Sequence, residues 1–429
     1  MSPTIAIVGA GPAGFYAADG LLRKAPGVTV DIIDRLPTPH GLVRAGVAPD
    51  HQGTKAVSRV FERVLDKPGV RFLGNVALGR DLALDELRTL YDAVILATGA
   101  PTDRRLGIPG EDLPGVHGSG AFVGWYNGHP DHAGHAPDLD VEAAAVIGNG
   151  NVAIDVVRVL ARTPAELAAS DIADDARARI AASPLRRLHM IGRRGPVEAS
   201  FTNSELAELG RLEGASPRVD RADLPAGIGA VAEPERRVKE ANLATLREFA
   251  GRTASPAGKV IDFRFHASPV AILGTDRVTG LRLAAGSGTV DLACGLVVTC
   301  IGYSAPPLDG VIPDAAGIYA NDGGRIADNL YVVGWARRGP SGTIPTNRAD
   351  SQAVVERLLA TIDAGRGASG PDGLDGLLAG RGVEIVGRDG WRAIDRAETA
   401  GAPEGAPRRK LTDPRAMLAA AREAGDRAP

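Results

Sequence analysis

Near its N-terminus the chain reads IAIVGAGPAGFYAADGLL, from Ile5 to Leu22. A short apolar run, a glycine-rich turn and then apolar residues at helical spacing predict a strand, a tight turn and a helix. The next apolar run, Val28–Asp34, is rich in β-branched residues and ends in an acid 20 positions after Gly14. Together these features predict a βαβ unit of the kind that binds a dinucleotide.

The turn has the spacing Gly9-x-Gly11-x-x-Gly14. These glycines let the chain bend sharply, let its backbone approach a pyrophosphate, and let the helix pack closely on the strand. The N–H groups at the start of the helix then bind the phosphates. We expect Asp34 to accept a hydrogen bond from a ribose hydroxyl, although a solvated charge at a strand end would explain it as well.

A second unit of this kind begins at Ala143–Ile147, turns at Gly148-Asn149-Gly150-Asn151-Val152-Ala153 and continues as a helix to about Ala161. Its next strand, Leu188–Ile191, is followed by Arg193 and Arg194 and not by an acid. Guanidinium groups bind a 2′-phosphate that a carboxylate would repel, so the pattern favours NADP over NAD. Because Arg193 lies 40 residues after Ala153, an additional helix is expected at about Pro164–Ala182. Solvated loop charges are the alternative interpretation of the two arginines.

Apolar strands that end in glycine flank this second unit, at Tyr91–Gly99 and Gly295–Gly302. The arrangement predicts that the second domain is inserted into the first. We therefore expect an α/β protein with two Rossmann-like, three-layer nucleotide-binding domains, the first made of residues 1–101 and 304–429 and the second of residues 102–303. In the C-terminal part we expect a helix at about Asn347–Ile362 and a surface linker at Asp363–Asp375. Trp391, Ile394 and Glu398 then follow at helical spacing.

Composition excludes several classes of protein. A formal charge of −3 over 429 residues argues against a nucleic-acid binder. Cys294 and Cys300 are the only cysteines and lack the C-x-x-C spacing, so any redox chemistry requires a bound cofactor. His129, His132 and His135 lie in a loop without a matching cysteine or acid cluster, and no metal site is expected. With no signal-peptide pattern and no long apolar stretch, we expect a cytoplasmic protein without a membrane span. The sequence leaves the oligomeric state open, and a monomer is favoured.

One site that ends in an acid and another that ends in arginines imply two cofactors, FAD in the outer domain and NADPH in the inserted one. That pair performs hydride transfer. A third segment, from Arg337 to Ile344, precedes Pro345 at a helix start. The positive end of that helix would favour a reduced, anionic flavin.

Several longer segments resemble those of ferredoxin–NADP reductases of the adrenodoxin reductase type, which have a glutathione-reductase-like fold. The resemblance spans nearly the whole chain and rests on Pro37–His51, Val146–Ala153, Gly192–Pro196 and Gly334–Gly342. It implies FAD contacts at Ala13, Asp34, Leu42, Val76, Trp335, Gly342, Thr343 and Ile344. It also implies NADP contacts at Asn149, Gly150, Asn151, Val152, Arg193, Arg194, Glu205 and Gly342. The chain departs from the family's pattern at His40, Ala336 and Pro345.

Three residues of the resemblance allow two interpretations each. Glu205 falls in a capping-box pattern with Thr202, and either capping or a coenzyme contact would explain it. His51 and Asp155 match positions near the flavin that bear on electron or proton transfer, and these two are the candidate catalytic residues. A first-turn helix residue is the alternative for His51, and an acid favoured near a helix N-terminus is the alternative for Asp155.

The predicted activity is that of a ferredoxin–NADP(+) reductase: hydride passes from NADPH to FAD, and single electrons pass to ferredoxin or a similar iron–sulfur protein. Docking of an acidic ferredoxin would use a basic surface, for which the candidates are Arg236, Arg237, Lys239 and Arg247. An FAD/NADPH-dependent monooxygenase and a redox-sensing module without turnover are the alternative functions. A disulfide reductase is disfavoured because no C-x-x-C is present.

Overall fold

A computed structural model describes residues 2–252, 258–286, 288–365 and 369–423 of the chain. The chain divides into two compact units. The first comprises Met1–Thr102 and Gly302–Pro429, and the second comprises Asp103–Ile301. Both boundaries lie within two residues of the expected ones.

The strands, in chain order, are β1 (Thr4–Val8), β2 (Thr29–Asp34), β3 (Val70–Gly74), β4 (Ala93–Leu96), β5 (Thr102–Asp103), β6 (Val116–Gly118), β7 (Ala143–Ile147), β8 (Arg187–Ile191), β9 (Ala215–Arg218), β10 (Lys259–Arg264), β11 (Ala267–Leu273), β12 (Gly280–Ala285), β13 (Gly288–Ala293), β14 (Leu296–Thr299), β15 (Tyr303–Ser304), β16 (Arg325–Ala327) and β17 (Leu330–Val332).

The α-helices, in chain order, are α1 (Pro12–Lys24), α2 (Leu42–Ala45), α3 (Gln52–Lys55), α4 (Ser58–Leu65), α5 (Leu84–Leu90), α6 (Ser119–Tyr126), α7 (Asn151–Ala161), α8 (Pro164–Ala168), α9 (Asp174–Ala182), α10 (Asn203–Leu209), α11 (Glu235–Gly251), α12 (Trp335–Arg338), α13 (Ile344–Thr361), α14 (Gly370–Gly380), α15 (Arg388–Ala400) and α16 (Pro414–Arg422).

The first unit is built on a six-stranded sheet with the order β16-β17-β4-β1-β2-β3. All neighbours pair in parallel except β16 and β17. Successive side chains of β1 point to opposite faces, with Ile5 and Ile7 in one apolar core and Ala6 and Val8 in another. A parallel sheet buried on both faces needs a covering layer on each side, and this gives the three layers expected of a Rossmann-like domain.

The second unit contains a six-stranded, fully parallel sheet with the order β6-β14-β7-β8-β10-β9. Along β7, Ala144 and Val146 face a core that α7 and α10 help to form, while Ala145 and Ile147 face the opposite core. Leu281 and Leu283 of the antiparallel sheet β11-β12-β13 belong to that second core. One outer layer of this unit is therefore a small sheet and not helices alone.

The single helix expected at about Pro164–Ala182 is wrong in detail, because the segment forms two helices, α8 and α9. Ser170 interrupts it: its hydroxyl donates a hydrogen bond to the carbonyl of Leu167 at 2.6 Å. The backbone N–H of Ile172 donates to the same hydroxyl at 3.4 Å. Serine competes in this way with the helical hydrogen bonds.

The linker expected at Asp363–Asp375 is wrong from Gly370 onward, because α14 begins there and buries Leu374 and Leu378. Residues 366–368 of the expected linker lie outside the described residues. The helical spacing of Trp391, Ile394 and Glu398 is confirmed, since all three are buried on α15. In the described part of the chain, no helix has both the length and the apolar character needed to cross a membrane.

Candidate dinucleotide-binding sites

The first glycine turn joins β1 to α1, and its three glycines meet different surroundings. A Cβ atom on Gly9, whose φ is +115°, would lie 2.4 Å from the carbonyl oxygen of Ala97. A Cβ on Gly14 would lie 2.1 Å from the carbonyl oxygen of Gly9. A Cβ on Gly11 would meet nothing within 4 Å among the described residues, and the backbone there, at φ −87° and ψ −178°, suits any residue. The fold therefore requires Gly9 and Gly14, whereas Gly11 faces open space at the N-terminus of α1, as a site for a pyrophosphate must.

Asp34, at the end of β2, holds this turn in place. One carboxylate oxygen accepts a hydrogen bond from the N–H of Ala10 at 2.8 Å, and the other accepts one from the N–H of Leu36 at 2.9 Å. The buried residue Val76 donates its N–H to the carbonyl of Asp34 at 2.9 Å. Each carboxylate oxygen has more than one acceptor position, so these bonds are compatible with a ribose hydroxyl as an additional donor.

Residues 40–42 pack directly on the turn. The N–H of His40 donates to the carbonyl of Ala10 at 2.7 Å. A Cβ on Gly41, whose φ is +49°, would lie 3.0 Å from the Cα of Gly11. Leu42, the predicted FAD contact that follows, is 46% exposed. The structure thus brings Leu42 and Asp34 to the same glycine turn, and Val76 is linked to the turn through the backbone of Asp34.

The segment around Trp335 also reaches the turn. A Cβ on Gly334 would lie 2.7 Å from the Cβ of Ala13. The N–H of Gly334 donates to Asp350 of α13 at 2.6 Å, and Asp350 also accepts from Arg337 at 2.5 Å. Asp350 is not among the predicted site residues. The only indication of it in the sequence is that an acid follows Arg337 by 13 residues.

Trp335 begins α12 and stacks on Tyr303, with ring centroids 6.0 Å apart and planes 11° apart. Tyr303 was not predicted as a site residue. Thr343 is the N-cap of α13, and Gly342 before it has a φ of +79°. Gly342, Thr343 and Ile344 therefore form a helix N-terminus in the first unit.

The second glycine turn joins β7 to α7. A Cβ on Gly148, whose φ is +145°, would lie 2.3 Å from the carbonyl oxygen of Cys300. In the described part of the chain, a Cβ on Gly150 would meet only the hydroxyl of Ser200, at 3.2 Å. The side-chain oxygen of Asn149 is buried and has no hydrogen-bond partner among the described residues. An open glycine beside a buried, unpartnered polar atom fits a bound dinucleotide.

Arg193 and Arg194 follow β8, and both side chains are exposed. A Cβ on Gly192 would lie 1.7 Å from the amide nitrogen of Asn149, so the two arginines directly follow a residue that touches the glycine turn. Within the described ranges, neither guanidinium makes an ion pair or hydrogen bond. Two adjacent cations beside a glycine turn are suited to bind a phosphate bidentately.

The capping-box interpretation of Glu205 is wrong. Thr202 is the N-cap of α10, but its side chain makes no capping hydrogen bond. Its N–H donates to the side-chain oxygen of Asn151 at 2.8 Å, which links the start of α10 to the glycine turn. Val152, the next residue of that turn, lies within α7.

The two candidate catalytic residues lie in different units. His51 is the N-cap of α3, and its carbonyl accepts a hydrogen bond from the N–H of Lys55. Asp155 lies on α7 and accepts a hydrogen bond from the buried Arg158 at 2.7 Å.

The cysteines do not form a dithiol site. Cys294 and Cys300 are both free, and burial raises the pKa of Cys294 to about 12. A thiol that stays protonated at neutral pH is a poor nucleophile for disulfide exchange. Two dinucleotide-type sites, one followed by an acid and one by arginines, therefore define a flavin- and pyridine-nucleotide-dependent oxidoreductase without a redox-active disulfide.

Comparison with known proteins gives the particular family. A family model described as pyridine nucleotide-disulphide oxidoreductase matches residues 3–185. The NADPH-ferredoxin reductase FprA of Mycobacterium leprae is 42% identical over 95% of this chain and 96% of its own length. The mitochondrial NADPH:adrenodoxin oxidoreductase of Mus musculus is 40% identical over 97% of this chain and 91% of its own.

A solved structure of Mycobacterium tuberculosis FprA in complex with NADPH has a TM-score of 0.92 and 39% identity. The match covers 98% of this chain and 100% of the FprA chain in that structure. The chain belongs to the family of NADPH-dependent ferredoxin and adrenodoxin reductases. It is an oxidoreductase that uses FAD and NADP.

Proposed function

We propose that this chain accepts hydride from NADPH and delivers the electrons singly to a ferredoxin-type iron–sulfur protein. The observation that carries the proposal is the pair of glycine turns, one tied to a carboxylate at Asp34 and the other next to Arg193 and Arg194. The identity of 42% with an NADPH-ferredoxin reductase over 95% of the chain supports the same activity.

We assign FAD to the first unit. Gly9, Gly11 and Gly14 form the pyrophosphate turn, and Asp34 is suited to accept a hydrogen bond from the adenosine ribose. Ala13 lies on that turn, Leu42 follows the glycine that packs on it, and Val76 is bonded to the backbone of Asp34. We assign each of them a contact with the cofactor. Trp335 and the helix N-terminus at Gly342, Thr343 and Ile344 are assigned to the flavin end, where N–H donors stabilise negative charge.

We assign NADP to the second unit. The backbone from Asn149 to Val152 is proposed to bind the pyrophosphate, and Arg193 and Arg194 the 2′-phosphate. Glu205 is assigned a coenzyme contact, which the hydrogen bond from Thr202 at the start of α10 to Asn151 of the glycine turn supports. The unpartnered side-chain oxygen of Asn149 supports a donor from the ligand at this turn.

Bound FAD supplies the chemistry that the side chains lack, since it takes up a hydride and releases electrons one at a time. The residues of the chain bind and orient the two cofactors, because hydride transfer depends chiefly on correct placement. We assign His51 and Asp155 a part in electron or proton transfer beside the cofactors.

The electron acceptor is proposed to be an acidic iron–sulfur protein that meets a basic surface. Of the four candidate cations on α11, Lys239 donates to the carbonyl of Ala199 at 2.5 Å, and Arg247 donates to the carbonyls of Pro225 and Ala226 at 2.8 Å. Arg236 lies 3.6 Å from Glu240. Arg237 is exposed and is therefore the member of this set best placed to meet a partner.

An anaerobic titration of the purified protein tests the proposal. The flavin absorbance should bleach with NADPH in preference to NADH, and it should return when oxidised ferredoxin is added. A colourless protein would contradict the FAD assignment. A flavin that bleaches but passes nothing to ferredoxin would contradict the proposed partner.

A further inference from the structure

We propose that Glu398 and Trp391 are positioning residues for FAD. Both lie in the segment of residues 383–423, which we call the C-terminal arm. They hold residues 40–45 against the first glycine turn. The inference rests on the proposed assignment of FAD to that turn. It gives the C-terminal arm a function in cofactor binding.

The segment that the arm holds has little freedom at the turn. His40 is buried, has a φ of +82°, and donates its N–H to the carbonyl of Ala10. Gly41, with a φ of +49°, approaches Gly11, the glycine that faces open space. A non-glycine residue at positive φ costs free energy and persists only where its surroundings hold it. The segment therefore needs contacts on its outer side to stay in contact with the glycine turn.

Arg44 provides the first of these contacts. Its two terminal nitrogens donate to the two carboxylate oxygens of Glu398, at 2.8 and 2.5 Å. The side chain of Glu398 is completely buried and that of Arg44 is 8% exposed. Burial by itself would raise the pKa of Glu398, but Arg44, the N–H of Leu411 and the charge of Arg408, which lies 3.3 Å from one carboxylate oxygen, hold it below its usual value. Glu398 is therefore a carboxylate that binds Arg44 in one fixed orientation.

Trp391 provides a second contact at the other end of the segment. Its indole N–H donates to Glu62 at 2.8 Å, and Nε2 of His40 lies 2.9 Å from the same oxygen. The rings of Trp391 and His40 meet edge to face with centroids 5.4 Å apart. The guanidinium of Arg44 also lies over the Trp391 ring, 5.7 Å from its centroid. One side chain of the arm thus touches both His40 and Arg44.

The carbonyl of Arg44 is held from the arm as well. Lys410 donates to it at 3.1 Å and Lys55 at 3.4 Å, and both lysines are buried. Breaking a buried ion pair is costly, but such a pair is often no more stabilising than apolar side chains of the same size. A bidentate pair with this much support is better explained by the orientation that it imposes on residues 40–45.

The test measures FAD affinity of the full-length apoprotein, prepared by removing the flavin, through quenching of flavin fluorescence. Glu398→Gln keeps the side-chain size and removes the charge, and it should raise the Kd for FAD at least about tenfold, the loss of one charge-assisted interaction. Glu398→Asp keeps the charge and should recover part of this affinity. The Kd for NADP⁺, which concerns the other unit, should not change.

Glu384→Gln is the matched control. Glu384 lies on the same arm and forms a bidentate pair with Arg422 at 2.7 and 2.8 Å, but the pair is exposed. This change should alter the Kd for FAD by less than about twofold, the usual weight of a surface pair. A loss of FAD affinity equal to that of Glu398→Gln would overturn the inference.

Three further outcomes would overturn the inference. If Glu398→Gln lowers the unfolding midpoint of the apoprotein but leaves the Kd for FAD unchanged, the pair serves stability alone and the inference is overturned. If that variant does not fold, Trp391→Phe replaces it, since phenylalanine retains most of the packing and loses the hydrogen bond to Glu62. It should raise the Kd for FAD about threefold, and an unchanged Kd overturns the inference. A wild-type apoprotein that binds no FAD would instead overturn the proposed function together with the inference.

Discussion

Arg158 and Asp155 lie one helical turn apart on α7, and Nη2 of the arginine donates to the aspartate at 2.7 Å although Arg158 is completely buried. Nε of Arg158 also lies 3.3 Å from Glu208 of α10. One buried guanidinium thus connects the helix that follows the second glycine turn to the helix that carries Glu205. We infer that Arg158 fixes the separation of these two helices.

Replacing Arg158 with methionine should therefore destabilise the protein. The change leaves the carboxylates of Asp155 and Glu208 without their shared cation, and the expected loss is about 2–4 kcal/mol. Urea unfolding followed by circular dichroism measures it. Arg177→Met is the matched control, because Arg177 pairs with Asp174 at the same spacing, at 3.2 Å, but on the surface. The control should lose less than about 0.5 kcal/mol, and equal losses in the two variants would contradict the role given to burial.

Replacing Arg193 and Arg194 together with glutamine should raise the KM for NADPH about 10–100-fold, the scale of one to a few charge-assisted contacts. The KM for NADH should change little, because NADH lacks the 2′-phosphate. Steady-state reduction of an artificial acceptor measures both constants. Arg236→Gln with Arg237→Gln removes the same charge from α11 and should leave both constants unchanged. An equal effect of the first pair on the two coenzymes would refute the 2′-phosphate assignment.

Gly11→Val should give a folded protein without flavin. A Cβ at this position meets nothing within 4 Å among the described residues and needs no unusual backbone angle, so the stability of the apoprotein should change by less than about 0.5 kcal/mol. The same side chain fills the space in front of the turn, where the pyrophosphate is proposed to bind. Flavin absorbance of the purified protein measures the effect, and full yellow colour would contradict the assignment.

Gly9→Val provides the contrast to that variant. Valine at a φ of +115° is strained, and its Cβ would lie 2.4 Å from the carbonyl of Ala97. This variant should lose about 2–4 kcal/mol of stability even without flavin. Thermal unfolding of the two apoproteins separates a glycine required by the ligand from one required by the fold.

The sequence predicts the local parts of this fold well. β1, the glycine turn and α1 occupy one continuous segment, and their pattern reflects local rules of strand burial, turn geometry and helix start. The same is true of β7 and α7. The prediction fails where a backbone group bonds to a distant residue and not to a local one. The N–H of Thr202 donates to Asn151, 51 residues away, and no capping box forms.

The contacts that complete the first site are also distant in sequence. Arg44 and Glu398 are separated by 354 residues. Gly334 and Ala13, which lie close together in space, are likewise separated by most of the length of the sequence. No periodicity or spacing can indicate such a pair, because a single charged residue has many possible partners. The helical spacing of Trp391, Ile394 and Glu398 predicts the helix but gives no indication of what Glu398 binds.

The stability of the second unit should depend on pH through His117. Burial, with a smaller contribution from the charge of His135, lowers the pKa of His117 to about 4. The ordinary pKa of histidine is about 6.5, so the unfolded chain binds this proton more tightly than the folded protein does. The stabilisation is therefore complete above about pH 6.5 and is lost progressively as the pH falls towards 4.

Each such histidine adds a slope of up to about 1.4 kcal/mol per pH unit within that window. His135, whose ring centroid lies 4.7 Å from that of His117, also has a lowered pKa and adds to the slope. His117→Phe should reduce the slope by the contribution of one proton, up to about 1.4 kcal/mol per pH unit. Urea unfolding at a series of pH values measures it. A slope that is undiminished in His117→Phe would mean that the folded protein binds the His117 proton as tightly as the unfolded chain does.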